Sequence, residues 1–71
     1  MFGTRKKTDA RLRNCGSLYL LSPESPGAER WITENLEEST RLGNAVAIEP
    51  RYVWPIVEAL EGEGLEVRFS R

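Results

Sequence analysis

Residues 45–69 read AVAIEPRYVWPIVEALEGEGLEVRF and contain three consecutive elements of the predicted fold. The first is a short apolar run over 45–48 that stops at Glu49-Pro50, which is typical of a buried strand. The next apolar side chains recur at the spacing of one helix face: Val53, Ile56, Val57 and Leu60. Residues 65–69 then alternate strictly between apolar and polar, which predicts a strand with one face on the core and one in water.

Pro55 constrains where the helix in this stretch begins. A proline in a helix interior costs ~3 kcal/mol, whereas in the first turn its missing N–H needs no partner. We therefore expect the helix to begin near Tyr52, which places Pro55 in its first turn, and to end at Gly62 and Gly64.

The preceding part of the chain repeats the order of strand and helix. Residues 17–21 are a short apolar run closed by Pro23, too short for a helix and typical of a buried strand. Ser25 is placed to cap a helix with Pro26 at its first position. The apolar stripe of this helix, which includes a tryptophan expected in the core, consists of Ala28, Trp31, Ile32 and Leu36.

The order strand, helix, strand, helix, strand predicts an α/β fold. We expect a small two-layer βαβαβ sandwich with a mainly parallel three-stranded sheet and right-handed crossovers. An antiparallel third strand is the alternative, and the strand order stays open. Residues 1–15 are rich in charge and lack periodicity. They are predicted to form a flexible basic N-terminal tail, with at most a transient helical turn near residues 10–13, ahead of a domain over 16–71.

Charge divides the chain into two parts of opposite sign. Residues 1–13 hold five basic residues and one acidic residue, whereas 14–71 hold five basic and ten acidic residues. A basic arm attracts polyanions and an acidic body repels them. One hypothesis is therefore that the chain is a nucleic-acid-associated accessory protein that binds through this arm. The other interpretation is that the basic residues at the start of the chain only increase its solubility. The residues that would bind nucleic acid are Arg5, Lys6, Lys7, Arg11 and Arg13.

The chain carries little catalytic equipment. It has no histidine, its six glycines form no phosphate-binding motif, and its single cysteine, Cys15, is expected to be inert. We therefore predict no enzymatic activity, no catalytic residues, no cofactor and no metal site. A ligand-binding or catalytic unit built on Ser22, Glu49 and Arg51 is a third hypothesis, because ligands bind beyond the carboxyl ends of parallel strands.

Trp54 suggests a function based on binding. It lies about 100° around the helix from Val53, away from the apolar face. Exposed tryptophans are enriched at interface hot spots; alternatively, this side chain covers the sheet edge and completes a thin core. The leading prediction is a non-enzymatic protein-binding module or small regulator. Its predicted partner-binding residues are Glu49, Arg51, Tyr52, Trp54 and Glu58.

Length and composition favour particular predictions for the oligomeric state and the cellular compartment. The 71 residues suffice for one domain of marginal stability, and a homodimer would be one way to stabilise it. A lone cysteine fits a reducing compartment, and no apolar stretch approaches the ~20 residues of a membrane span. We predict a cytoplasmic protein without membrane association.

Several short motifs resemble those of a group of small proteobacterial proteins that are often encoded on plasmids, prophages or integrative elements. The motifs are LLSP at 20–23, Trp31, AIEPRY at 47–52 and GLEV at 64–67. The resemblance spans residues 17–69 and implies a bacterial, cytoplasmic protein from a mobile element that adjusts a host system by binding. It implies no established activity.

Overall fold

The computed structural model describes residues 8–70, which form an α/β fold of one sheet and two helices. The strands in this part of the chain are β1 (Ala10–Asn14), β2 (Tyr19–Pro23), β3 (Arg41–Leu42), β4 (Ala45–Ile48) and β5 (Val67–Ser70). The helices are α1 (Pro26–Asn35) and α2 (Pro50–Gly62). The strands are arranged in the order β3-β4-β2-β1-β5.

The predicted mainly parallel, three-stranded sheet is wrong in both strand number and direction. Over residues 8–70 the sheet has five strands, and only β1 and β5 pair in parallel. The pairs β1–β2, β2–β4 and β3–β4 are antiparallel. The difference arises from two hairpins that the sequence analysis did not identify, since each hairpin adds a strand that runs against its neighbour.

Strand β1 lies in the segment that the sequence analysis assigned to a flexible tail. Ala10 and Leu12 are fully buried, whereas Arg11 and Arg13 are exposed, and this alternation is that of a strand with one covered face. β1 lies between β2 and β5, so the sheet depends on it. The predictions of a tail and of a helical turn are therefore wrong for residues 10–14. Residues 1–7 lie outside the described part of the chain.

A tight turn makes the first hairpin possible. Gly16 has φ of +89°, a conformation that side chains with a Cβ disfavour. Its N–H donates a hydrogen bond to Asn14 Oδ1 at 2.9 Å, and Cys15 N–H donates to the Leu18 carbonyl at 2.8 Å. These bonds reverse the chain between β1 and β2.

Both helices cover the same face of the sheet. The buried apolar side chains of that face are Ala10, Leu12, Leu21, Val46, Ile48 and Val67. They pack with Ala28 and Ile32 of α1 and with Val53, Val57 and Leu60 of α2. Each large side chain buried in this way contributes about 1.5–3 kcal/mol to folding. The predicted two layers are thus present, and no described helix lies on the opposite face.

The helix starts illustrate what local sequence can predict. The predicted capping of α1 is confirmed, because Ala28 N–H donates to Ser25 Oγ at 3.2 Å and Pro26 follows the cap. α2 begins at Pro50, earlier than expected, so Pro55 lies in the second turn and not in the first. The lost N–H leaves the Arg51 carbonyl without its usual helical donor.

Neither helix in the described part of the chain is long and apolar enough to cross a membrane.

Candidate functional site

Large apolar side chains are exposed on two separate surfaces of the described chain. They are Leu18 (38% exposed), Leu42 (52%), Tyr52 (50%), Trp54 (63%) and Phe69 (53%). Tyr52 and Trp54 are two residues apart on α2, which places them on opposite flanks of the buried helix face. One surface therefore lies towards β4 and the other towards β5.

The first surface is an apolar groove of about 700 Å³ beside Tyr52. The N-terminal half of α2 forms one wall, and the segment from Leu36 to Leu42 forms the other. Leu18 and Ile48 also line it. Because β3 is only two residues long, no regular element fills the space between this segment and α2. We refer to this concavity as the apolar groove.

Three of the predicted partner-binding residues lie together at the rim of the groove. Arg51 Nε donates to Glu49 Oε1 at 3.0 Å, and the Arg51 guanidinium lies 5.0 Å from the centre of the Tyr52 ring. The ion pair is exposed and adds little to stability. The cation over the ring favours one orientation of Tyr52 at the entrance.

The second surface is an aromatic pair formed by Trp54 and Phe69. The centres of the two rings are 5.7 Å apart, and their planes are inclined by 41°. Trp54 is thus exposed and lies outside the buried core. Glu58, exposed one turn further along α2, lies on this side as well. The structure therefore divides the five predicted partner-binding residues between two flanks of one helix.

The structure does not assemble the site proposed from Ser22, Glu49 and Arg51. Ser22 lies near the end of β2, and Glu49 follows the end of β4. Because β2 and β4 are neighbouring antiparallel strands, their C-terminal ends point in opposite directions, and Ser22 and Glu49 lie at opposite ends of this strand pair. Among residues 8–70, no cluster of three or more acidic, histidine or cysteine side chains could hold a metal ion, and Cys15 is exposed.

Two of the five basic residues assigned to nucleic-acid binding can be placed, and both are on β1. Arg11 Nε donates to Glu24 Oε2 at 2.8 Å. This hydrogen bond raises the pKa of the Arg11 guanidinium and lowers the pKa of the Glu24 carboxyl. Arg13 is exposed on the uncovered sheet face, as is Arg68 of β5. Arg5, Lys6 and Lys7 are outside the described residues.

Leu18, Leu42 and Phe69 were not predicted to lie at the surface, and Leu18 was expected in a buried strand over 17–21. Phe69 follows Val67 on the helix side of the sheet, so the alternation of 65–69 predicted a core position. Its exposure results from its place on an edge strand, which the sequence pattern does not reveal. Leu42 belongs to β3, a strand too short to produce a pattern.

No protein-family model matches the chain, and neither the curated proteins nor the solved structures include a match. The resemblance to small proteobacterial proteins therefore stays a prediction.

Proposed function

We propose that this chain is a small, non-enzymatic protein-binding module that receives apolar side chains of a partner protein in the apolar groove. The observation that carries the proposal is the half-exposure of Leu42 and Tyr52 at one concavity of about 700 Å³. Concave apolar surfaces with a few polar groups at the rim are typical of binding sites, and exposed apolar patches mark interaction surfaces.

The rim of the groove indicates the chemistry of the partner. Two exposed carboxylates, Glu38 and Glu49, stand on its two sides against one guanidinium, that of Arg51, which pairs with Glu49. Residues 14–71 carry twice as many acidic as basic residues. Complementary charge increases the rate and specificity of association. The proposed partner segment is therefore apolar at its centre and basic at its flanks. Tyr52 would be its main contact, since large aromatic side chains concentrate binding energy.

A regulatory action on a bacterial host system, in the cytoplasm and from a mobile element, is also part of the proposal. It is supported only by the resemblance of the short motifs at 20–23, 47–52 and 64–67.

The test is affinity capture from bacterial lysate, with and without nuclease, using two matched variants. Tyr52→Ala and Trp54→Ala each remove one exposed aromatic ring from α2, on opposite flanks. We expect Tyr52→Ala to weaken capture about tenfold or more, as loss of a hot spot does, while Trp54→Ala retains it. Circular dichroism confirms that both variants fold. Equal capture by both variants would show that the groove is not the binding surface.

Nucleic-acid association is the second candidate, favoured by the exposure of Arg13 and Arg68 on the uncovered sheet face. The salt bridge of Arg11 with Glu24 counts against it, because it neutralises one of the cations on that side. Retention on DNA or RNA that falls steeply with salt would support it. Capture that disappears after nuclease treatment would also favour this alternative over the groove.

A further inference from the structure

Strand β5 lies at the edge of the sheet, pairing with β1 on one side only within the described chain. We propose that the β5 edge pairs with β5 of a second copy of this chain, in a two-fold symmetric dimer whose sheet continues through both copies. This inference is independent of the apolar groove, which lies on the other flank of α2.

The backbone of Phe69 has the orientation that such pairing requires. Ala10 N–H donates to the Glu66 carbonyl at 3.0 Å, so that carbonyl points towards β1. Backbone groups of successive residues in a parallel strand point alternately to the two sides. Those of Arg68 and Ser70 therefore face β1, and those of Phe69 face outwards. An unpaired edge of this kind is a template for another strand.

The proposed pairing is antiparallel and centred on Phe69. With the two-fold axis at Phe69, the two Phe69 residues are directly opposite and exchange both backbone hydrogen bonds. Arg68 then lies opposite Ser70 of the second copy. Moving the axis to Arg68 would place the two Arg68 side chains opposite each other, and like charges in that position are destabilising.

Helix α2 adds an aromatic contact beside the same axis. Trp54 contacts Phe69, so Trp54 of both copies lies near the axis. Each copy would then cover the exposed Trp54 and Phe69 rings of the other, so that the same patch serves both sides, as a two-fold interface requires.

The small core gives the dimer a physical role. Eleven apolar residues are buried in the described chain, and the rings of Trp54 and Phe69 are among the large apolar side chains left exposed. Domains of this size bury too little surface for high stability, and association is a common way to bury more. Pairing at β5 would cover both rings and remove an open sheet edge.

The mass of the full chain in solution tests the proposal, measured by light scattering from about 10 μM to about 1 mM. We expect a doubled mass at the upper concentrations. Trp54→Ala should raise the dissociation constant about tenfold or more, whereas Tyr52→Ala should leave it unchanged. A chain that is monomeric at about 1 mM, or that forms a larger species, would overturn the proposal.

A backbone variant tests the strand pairing itself. Phe69→Pro removes the outward N–H as well as the ring, so it should weaken the dimer more than Phe69→Ala. Equal effects of proline and alanine would exclude this arrangement.

Discussion

The carboxylate of Asp9 accepts a hydrogen bond from the backbone N–H of Glu66, 57 residues later in the chain, at 2.8 Å. The backbone of Asp9 donates to the Glu66 carbonyl at 2.9 Å and accepts from Glu24 N–H at 2.7 Å. One residue thus joins the start of β1, the end of β2 and the approach to β5. The position was assigned to a flexible tail, and it instead holds three segments of the sheet together.

Replacement of Asp9 by alanine should lower the free energy of unfolding by about 1.5–3 kcal/mol, because a charge-assisted hydrogen bond is lost and a half-buried N–H loses its partner. Asp9→Asn should cost less, since its amide oxygen still accepts from Glu66. Urea unfolding followed by circular dichroism measures both. If both variants lose the same stability, the hydrogen bond from Glu66 N–H to the side-chain oxygen of residue 9 does not contribute to it.

Removal of residues 1–14 should abolish cooperative folding. The deletion eliminates the buried side chains of Ala10 and Leu12, and β5 loses the strand with which it pairs. The matched point variant is Leu12→Ala in the full chain. It should lower the free energy of unfolding by about 2–5 kcal/mol and still show a folded state at low temperature. Thermal unfolding of the two proteins tests this, and a sharp transition in the truncated chain would restore the interpretation of residues 10–14 as a tail.

The Arg11–Glu24 pair makes a small contribution to the pH dependence of stability. The hydrogen bond from Arg11 holds the pKa of Glu24 below its ordinary value in the folded state. The group therefore stabilises the fold at pH above its unfolded pKa, and this contribution is lost as the pH falls through the lower, folded pKa. Arg11→Gln should raise the Glu24 pKa in an NMR titration. An unchanged titration curve would show that the pair does not persist in solution.

The cap of α1 gives a fourth prediction. Ser25→Ala should lower stability by about 1 kcal/mol, because Ala28 N–H loses its side-chain acceptor. Ser25→Gly should cost only a few tenths of a kcal/mol, since glycine is itself a good N-cap residue. Ser17→Ala, at an exposed turn position, is the control for a serine outside a helix start. Chemical denaturation should rank the three variants in that order of effect, with Ser17→Ala near zero.

The elements with a clear period could be predicted from sequence, and the pairing between them could not. Residues 45–48 and the apolar face of α2 were recognisable because many side chains share one period. β1 has the alternation of a strand, but only Ala10 and Leu12 carry it, and the surrounding charge concealed it. β3 exists because a turn at Gly43, with φ of +66°, returns the chain to β4. The hairpins then determine the direction in which each strand runs, and the spacing of apolar residues within one strand does not indicate with which strand it will pair.

The candidate surfaces were predictable to a similar degree. The angle of Trp54 on its helix placed it away from the apolar face but left both exposure and a core position open, and Tyr52 was named beside it as a partner-binding residue. Phe69 could not be identified, because its exposure depends on β5 being an edge strand. The groove could not be identified either, since it requires the irregular segment before Leu42 to lie opposite α2.

The parallel pairing of β1 with β5 also sets the timing of folding. Ala10 lies opposite Val67, so this part of the sheet cannot close until residues 67–70 have left the ribosome. Contacts between segments so far apart in the chain slow folding, and the early strands stay without their last neighbour during synthesis. The nascent chain therefore completes this sheet only after β5 has been translated, and until then β1 lacks one of its two neighbouring strands.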